Sequence, residues 1–372
     1  MNQPIKEKLP GNPRILVAPL DWGLGHATRC IPIIRELVEQ GCIVTLAGNG
    51  KQAELLLQEF PDLAMLPLQG YDIKYAKSSF GLIKNIIFQT PKLLRSIRNE
   101  HLWLQRIVEE YGFDAVISDN RYGLYHKKIP SIFITHQLTI KSPFGKWTEK
   151  MLQRRNYKYI NRFTECWVPD YESENNLAGD LSHPTLKPTT PLKYIGALTR
   201  IKDKAVVKKE KHLAVILSGP EPQRSILEEK LINVFSHYNG TATFIRGLPG
   251  NVSIIPSTNM IQFYNHLPTE ALNIAMQEAE FMICRSGYSS VMDIAALQKK
   301  SIMIPTPGQT EQEYLADMLM KKGFAVCYKQ NDFSLEDALQ TAIEFNYSFP
   351  VLQSDDLLKN RIINFLKSIT KN

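Results

Sequence analysis

The sequence predicts an α/β chain of two Rossmann-like, doubly wound domains that face each other across a cleft. Three observations carry this. Short apolar runs alternate with helically spaced apolar residues in both halves. A proline-flanked, charge-rich stretch separates the halves. The chain has 372 residues, more than one core of roughly 150 residues would hold.

The first half opens on Arg14-Ile15-Leu16-Val17-Ala18-Pro19-Leu20, a short apolar run that reads as a buried strand. Ile31, Ile34, Leu37 and Val38 follow at helical spacing, and Gly41 stands where a glycine favours the end of a helix. Cys42 to Ala47 is the next apolar run. Strand, helix, strand at this spacing implies parallel pairing. Ala115 to Ser118, Ser131 to Ile134 and Glu165 to Pro169 extend the series.

Prolines then cluster at Pro184, Pro188 and Pro191, and charge gathers from Arg200 to Lys211. The expected division is residues 1–195, a linker at 196–211, a second domain at 212–350, and a final helix in 351–372 that returns to the first domain. In the second domain Leu213 to Leu217, Thr243 to Ile245, Phe281 to Cys284 and Ile302 to Pro305 read as strands, with a helix over Ile226 to Phe235.

Hydrophobic residues make up 44% and charged residues 22%, the balance of a globular protein and not of a disordered one. The net charge of +7 fits an anionic partner, whether nucleic acid, anionic lipid or phosphorylated substrate, and also fits a plain solvated excess. Aromatic-interleaved basic motifs are missing, which argues against nucleic acid. Five cysteines at wide spacing, with no C-x-x-C, suggest neither a disulfide framework nor a zinc site. A polar start without an apolar core, and no run of about 18 apolar residues, lead to the expectation of a cytoplasmic protein with at most peripheral membrane contact.

Two loops of the second half carry chemistry. After Phe281 to Cys284 come Arg285-Ser286-Gly287-Tyr288-Ser289, and then a helix containing Asp293. A strand running into a small-residue turn and a helix presents free N–H groups and a positive dipole end to an anion. Asp293 offers a carboxylate for a pair of ribose hydroxyls. The next loop, Pro305-Thr306-Pro307-Gly308-Gln309-Thr310-Glu311-Gln312-Glu313-Tyr314, sets amides and carboxylates in a row, as sugar hydroxyls require. A plain turn with an acidic first helical turn would look the same.

Together these loops resemble the donor half of GT-B glycosyltransferases, in particular family 28, the MurG-like lipid-intermediate N-acetylglucosaminyltransferases. The resemblance implies a C-R-S-G segment at Cys284 to Gly287, an acidic ribose partner at Asp293 and a sugar partner at Gln312. Asp293 stands for the family's usual Glu, and Glu313 for its second Gln. Gln309, Glu311 and Glu313 are carried as donor contacts with them. Gly219 and Arg224, in Leu217-Ser218-Gly219-Pro220-Glu221-Pro222-Gln223-Arg224, resemble the family's phosphate loop. Phe263 and Tyr264 resemble the segment that holds the nucleobase; a core aromatic pair is the equal alternative there.

In the first half, Gly23-Leu24-Gly25-His26-Ala27-Thr28-Arg29 resembles the family's first loop. His26 then acts either as general base on the acceptor hydroxyl or as a donor to the phosphates. Asp119 and His136 are the other candidate bases. Gly25 and Gly287 bring helix dipoles to the leaving group, with Arg224 or Arg285 as its basic partner.

The implied reaction moves a hexose or N-acetylhexosamine from a nucleotide sugar, with UDP as the expected nucleotide. It uses no metal and no cofactor beyond that co-substrate. The acceptor is lipid-linked or phosphorylated, at an anionic inner membrane face. Lys74 to Arg98 forms a basic amphipathic stretch suited to such a surface, and Lys141 to Arg162 is a second basic zone suited to an acceptor phosphate. A nucleotide-sugar 2-epimerase and an inactive nucleotide-sugar binding protein stay open as alternatives.

Overall fold

The computed structural model describes residues 11–71, 79–352 and 356–370, the stretch 79–90 and residue 370 by backbone only. The N-terminal half contains β1 (Arg14–Pro19), α1 (Leu24–Glu39), β2 (Ile43–Gly48), α2 (Gly50–Glu59), β3 (Ala64–Pro67), α3 (Ser79–Tyr111), β4 (Ala115–Asp119), β5 (Ser131–Ile134), α4 (Lys146–Ile160), β6 (Glu165–Val168) and β7 (Leu192–Tyr194). Its seven strands lie in the order β3-β2-β1-β4-β5-β6-β7, parallel throughout. Every residue of β1, β4 and β5 is buried. That is why these strands read as continuous apolar runs: helices cover both faces of a parallel sheet.

The C-terminal half contains β8 (His212–Ile216), α5 (Gln223–Phe235), β9 (Thr241–Ile245), β10 (Ile261–Tyr264), α6 (Thr269–Glu278), β11 (Phe281–Cys284), α7 (Tyr288–Leu297), β12 (Ser301–Met303), α8 (Thr310–Lys321), β13 (Val326–Cys327), α9 (Leu335–Glu344) and α10 (Asp356–Thr370). Six parallel strands run β10-β9-β8-β11-β12-β13.

Helix α1 starts where Gly23, at φ 84°, turns the chain out of β1. A left-handed residue is needed there, and glycine adopts it without strain. Its buried face is Ile31, Ile33, Ile34 and Leu37. Val38, expected on that face, is exposed. The stretch after β7 is more than a loose linker. Leu198, Arg200 and Ile201 are buried, while 202–205 are exposed. Arg200 binds Glu59 of α2 and Thr269 of α6, and so ties one half to the other. Helix α10 packs on β6: Phe365 meets Trp167 edge-on at 5.6 Å, and Arg361 pairs with Glu165.

Candidate active site

In open parallel sheets, ligands bind beyond the carboxyl ends of the strands, where the strand order reverses. The first sheet reverses between β1 and β4, the second between β8 and β11. Asp119 closes β4 in register with Pro19 and Ile134, so the loops after β1, β4 and β5 share one edge. The loops after β8, β11 and β12 share the facing edge. The first turns of α1, α7 and α8 meet between them. Ser289 Oγ of α7 donates to the Gly25 carbonyl of α1 at 3.0 Å, and Thr310 Oγ1 of α8 donates to the Lys141 carbonyl at 2.9 Å. Three positive helix ends thus border one space.

On the first side, His26 Nδ1 lies 2.9 Å from Asp119 Oδ2. Asp119 is fully buried and is gripped by the Arg29 guanidinium through Nε and Nη2. Arg29 Nη2 is also 2.7 Å from His26 Nδ1, and Nη1 is 3.3 Å from His136 Nδ1. A guanidinium has no lone pair. His136 Nδ1 therefore accepts from Arg29, and its Nε2 carries the proton that goes to Glu311 Oε1 at 2.7 Å. At His26 the carboxylate and the guanidinium compete for one nitrogen; a donated Nδ1–H to Asp119 leaves Nε2 with a free lone pair. Burial, then Arg29, push the His26 imidazole below its ordinary value, against Asp119. Burial raises the Asp119 carboxyl, but Arg29 and His26 outweigh it and hold the group below its ordinary value.

On the facing side, Gly287 caps α7. The Tyr288 hydroxyl donates to the Pro169 carbonyl at 2.7 Å, and its ring stacks on His136 at 4.1 Å. Glu311 bonds His136 and Gln137 of the first half. Gln312 Oε1 accepts from the Thr306 amide, and Glu313 Oε1 accepts from the Gly308 amide, both at 2.8 Å. These two side chains fix the turn that starts α8. Gln309 Oε1 and Thr306 Oγ1 are buried with no partner among the described residues, and Thr306 Oγ1 stands 3.9 Å from where a Cβ on Gly219 would lie. Two unsatisfied buried oxygens beside the switch point suit a polar ligand.

Several expected roles change. Arg285 is fully buried, and its Nη atoms donate to Gln223, Gln330, Ile304 and Pro305. Its Nη atoms are spent on holding these loops together. Arg224 is likewise held by Glu221 and Glu228. Ser286 Oγ is spent on the Gln312 carbonyl. Phe263, half-buried, packs on Phe244 at 5.0 Å against the core, and Tyr264 is the more open of the pair. Asp293 accepts from Thr199 Oγ1 at 2.5 Å, and burial raises its carboxyl to about 6. The stretch 74–78 lies outside the described residues, as do the side chains of 79–90.

Arg29, Gln137, Thr199 and Thr306 join the site without having been assigned a role from sequence. Arg29 alone carried a signal, three residues after His26 and so on the same helical face.

Residues 259–355 match the model of the glycosyltransferase family 28 C-terminal domain. An uncharacterized glycosyltransferase of Methanosarcina acetivorans is 22% identical over 339 residues, covering 84% of each chain. The UDP-N-acetylglucosamine–N-acetylmuramyl-(pentapeptide) pyrophosphoryl-undecaprenol N-acetylglucosamine transferase of Haemophilus ducreyi is 23% identical over 328 residues, 85% of each. The crystal structure of the kitacinnamycin glycosyltransferase covers 97% of this chain and 95% of its own, at TM-score 0.61 and 16% identity, a likeness of fold. Two facing parallel sheets and these relatives together give the chain the GT-B fold of glycosyltransferases, with a C-terminal domain, at residues 259–355, of the family 28 type.

Proposed function

We propose that the protein transfers a hexose or N-acetylhexosamine from a UDP-sugar to a hydroxyl of a lipid-linked acceptor, without a metal, at the cytoplasmic face of a membrane. The observation that carries the reading is the His26–Asp119 pair, set against the Gly287–Ser289 turn across the cleft. Asp119 receives Nδ1–H. His26 Nε2 takes the acceptor hydroxyl proton as that oxygen bonds the anomeric carbon, and the bond from this carbon to the pyrophosphate oxygen breaks. The departing negative charge faces the first turns of α7 and α1, whose N–H groups and dipoles stabilise it. With its pKa lowered, His26 is neutral and able to accept a proton at neutral pH. Asp293 and Gln312 serve the ribose and the donor sugar.

The donor and acceptor class draw support from the Haemophilus ducreyi relative, whose name specifies a UDP-sugar and an undecaprenol-linked acceptor. The membrane reading draws on α4. Phe144, Trp147 and Met151 are exposed, Trp147 by 75%, among exposed Lys146, Lys150, Arg154, Arg155 and Lys158. Bare tryptophan ringed by cations suits an anionic lipid surface. Helix α4 also borders the cleft, for Asn156 Nδ2 donates to the Gln137 carbonyl at 3.1 Å. Among the described residues no helix is long and apolar enough to cross a membrane.

A thermal-shift panel of UDP, TDP, GDP and UDP-sugars tests the reading. UDP and at least one UDP-sugar should raise the melting temperature, because a ligand specific for the folded state stabilises it by mass action. No shift with any of them sinks the proposal. Isomerised UDP-sugar appearing without acceptor would favour the epimerase.

A further inference from the structure

We infer that Glu311, carried on the donor-side helix α8, is the counter-charge that completes the His26 site when the two halves meet. The inference rests on His26 being the base. Arg29 and Asp119 form one buried ion pair beside His26. Once His26 takes the acceptor proton, a second positive charge appears in that closed space. Asp119 is already matched by Arg29, so a second anion is required if the space is to stay neutral.

Glu311 supplies it. Its Oε1 receives the His136 Nε2–H at 2.7 Å, and its Oε2 receives the Gln137 amide. His136 is fixed by Arg29 at Nδ1 and by the Tyr288 ring, so it holds the carboxylate in one place without adding charge of its own. Arg29, Asp119, His26, His136 and Glu311 then form one hydrogen-bonded chain from α1 to α8. With His26 protonated it carries two positive and two negative charges. The contact exists only because α8 reaches the first half: Thr310 binds Lys141, and Tyr288 binds Pro169. An open cleft would leave the imidazolium with a single, shared anion. The base therefore reaches full strength only when the donor-side helix is seated.

The groups facing His26 are Arg29 from α1, Asp119 from β4, His136 after β5, and Glu311 from α8, with the Cys30 thiol behind them against Asp119. Burial raises the Glu311 carboxyl, but His136, Arg29 and His26 together hold it below its ordinary value, so it is ionised at neutral pH.

The test is an NMR titration of the His26 imidazole in the full chain with saturating UDP, its signal assigned by its loss in His26→Ala. Glu311→Gln keeps the shape and removes the charge, and should lower the His26 midpoint by about 0.5–1 unit. Glu311→Asp keeps the charge and should stay closer to the wild-type midpoint. A midpoint unmoved in Glu311→Gln overturns the inference. So does a variant whose only defect is weaker binding of UDP-N-acetylglucosamine relative to UDP, since that marks a sugar contact alone. The titration does not depend on transfer activity, so the base assignment itself stands or falls separately, on the rate of His26→Ala.

Discussion

Ser289 Oγ donates to the Gly25 carbonyl across the cleft at 3.0 Å, placing the first turn of α7 directly against that of α1. A Cβ on Gly25 would stand 2.8 Å from that hydroxyl, closer than side chains tolerate. Gly25→Ala must therefore turn the Ser289 hydroxyl away and break its bond to the Gly25 carbonyl, the contact that joins the two turns. UDP affinity measured by calorimetry should fall about tenfold, roughly 1.4 kcal/mol, while the folded state loses under about 1 kcal/mol. Unchanged affinity would show that this contact does not shape the nucleotide site.

Asp119→Asn leaves Arg29 buried without its carboxylate. Removing one partner of a buried ion pair costs about 3–5 kcal/mol, and transfer should drop about 10²–10⁴-fold as His26 loses its orienting acceptor. The wild type should also weaken in acid, in two stages. The folded pKa of His26 lies below its unfolded value. Its contribution is complete above about pH 6.5 and is lost as pH falls through the folded value. Asp119 is likewise depressed, so its share is complete above about pH 3.9 and is lost below. Urea midpoints measured across pH should show the lower stage missing in Asp119→Asn.

Asp293, with its carboxyl raised to about 6, should make nucleotide-sugar binding depend on pH. An ionised carboxylate accepts both ribose hydroxyls, whereas a protonated one does not. Affinity for UDP-N-acetylglucosamine should rise as pH climbs through 6, and Asp293→Asn should flatten the curve. This ligand is the right probe because its pyrophosphate diester does not titrate in that range. A wild-type affinity flat across that range would remove Asp293 from the ribose.

Helix α4 should bind vesicles containing phosphatidylglycerol or phosphatidylserine and ignore neutral ones. Each cation near such a surface contributes about 1 kcal/mol. Trp147→Ala with Met151→Ala should cut co-sedimentation about tenfold or more, and 0.5 M salt, whose screening length is only a few ångströms, should weaken it further. Equal binding by the double variant would place the membrane surface elsewhere.

Much of this was legible in the sequence, and the reason is burial. Strands covered on both faces, such as Ile15 to Ala18 and Met282 to Cys284, must be apolar throughout and so announce themselves. The short edge strands β7 and β13 have no such constraint and left no comparable mark. The loops after β11 and β12 were visible because small residues and prolines mark turns. Which way a side chain faces was not. Arg285 follows Cys284, the last residue of β11, and only the fold shows its Nη atoms spent on the neighbouring loops. Glu311 meets His136 across 175 positions, and Asp293 meets Thr199 across 94; no local pattern encodes either pair.

The most direct test compares wild type with His26→Ala, following radiolabel from a UDP-sugar into the organic-extractable fraction of vesicles that carry a lipid-linked hydroxyl acceptor. The account predicts that UDP binds both proteins equally within about twofold, while transfer by the variant falls about 10²–10⁴-fold. Normal UDP binding with an undiminished rate would contradict the assignment of His26 as the base.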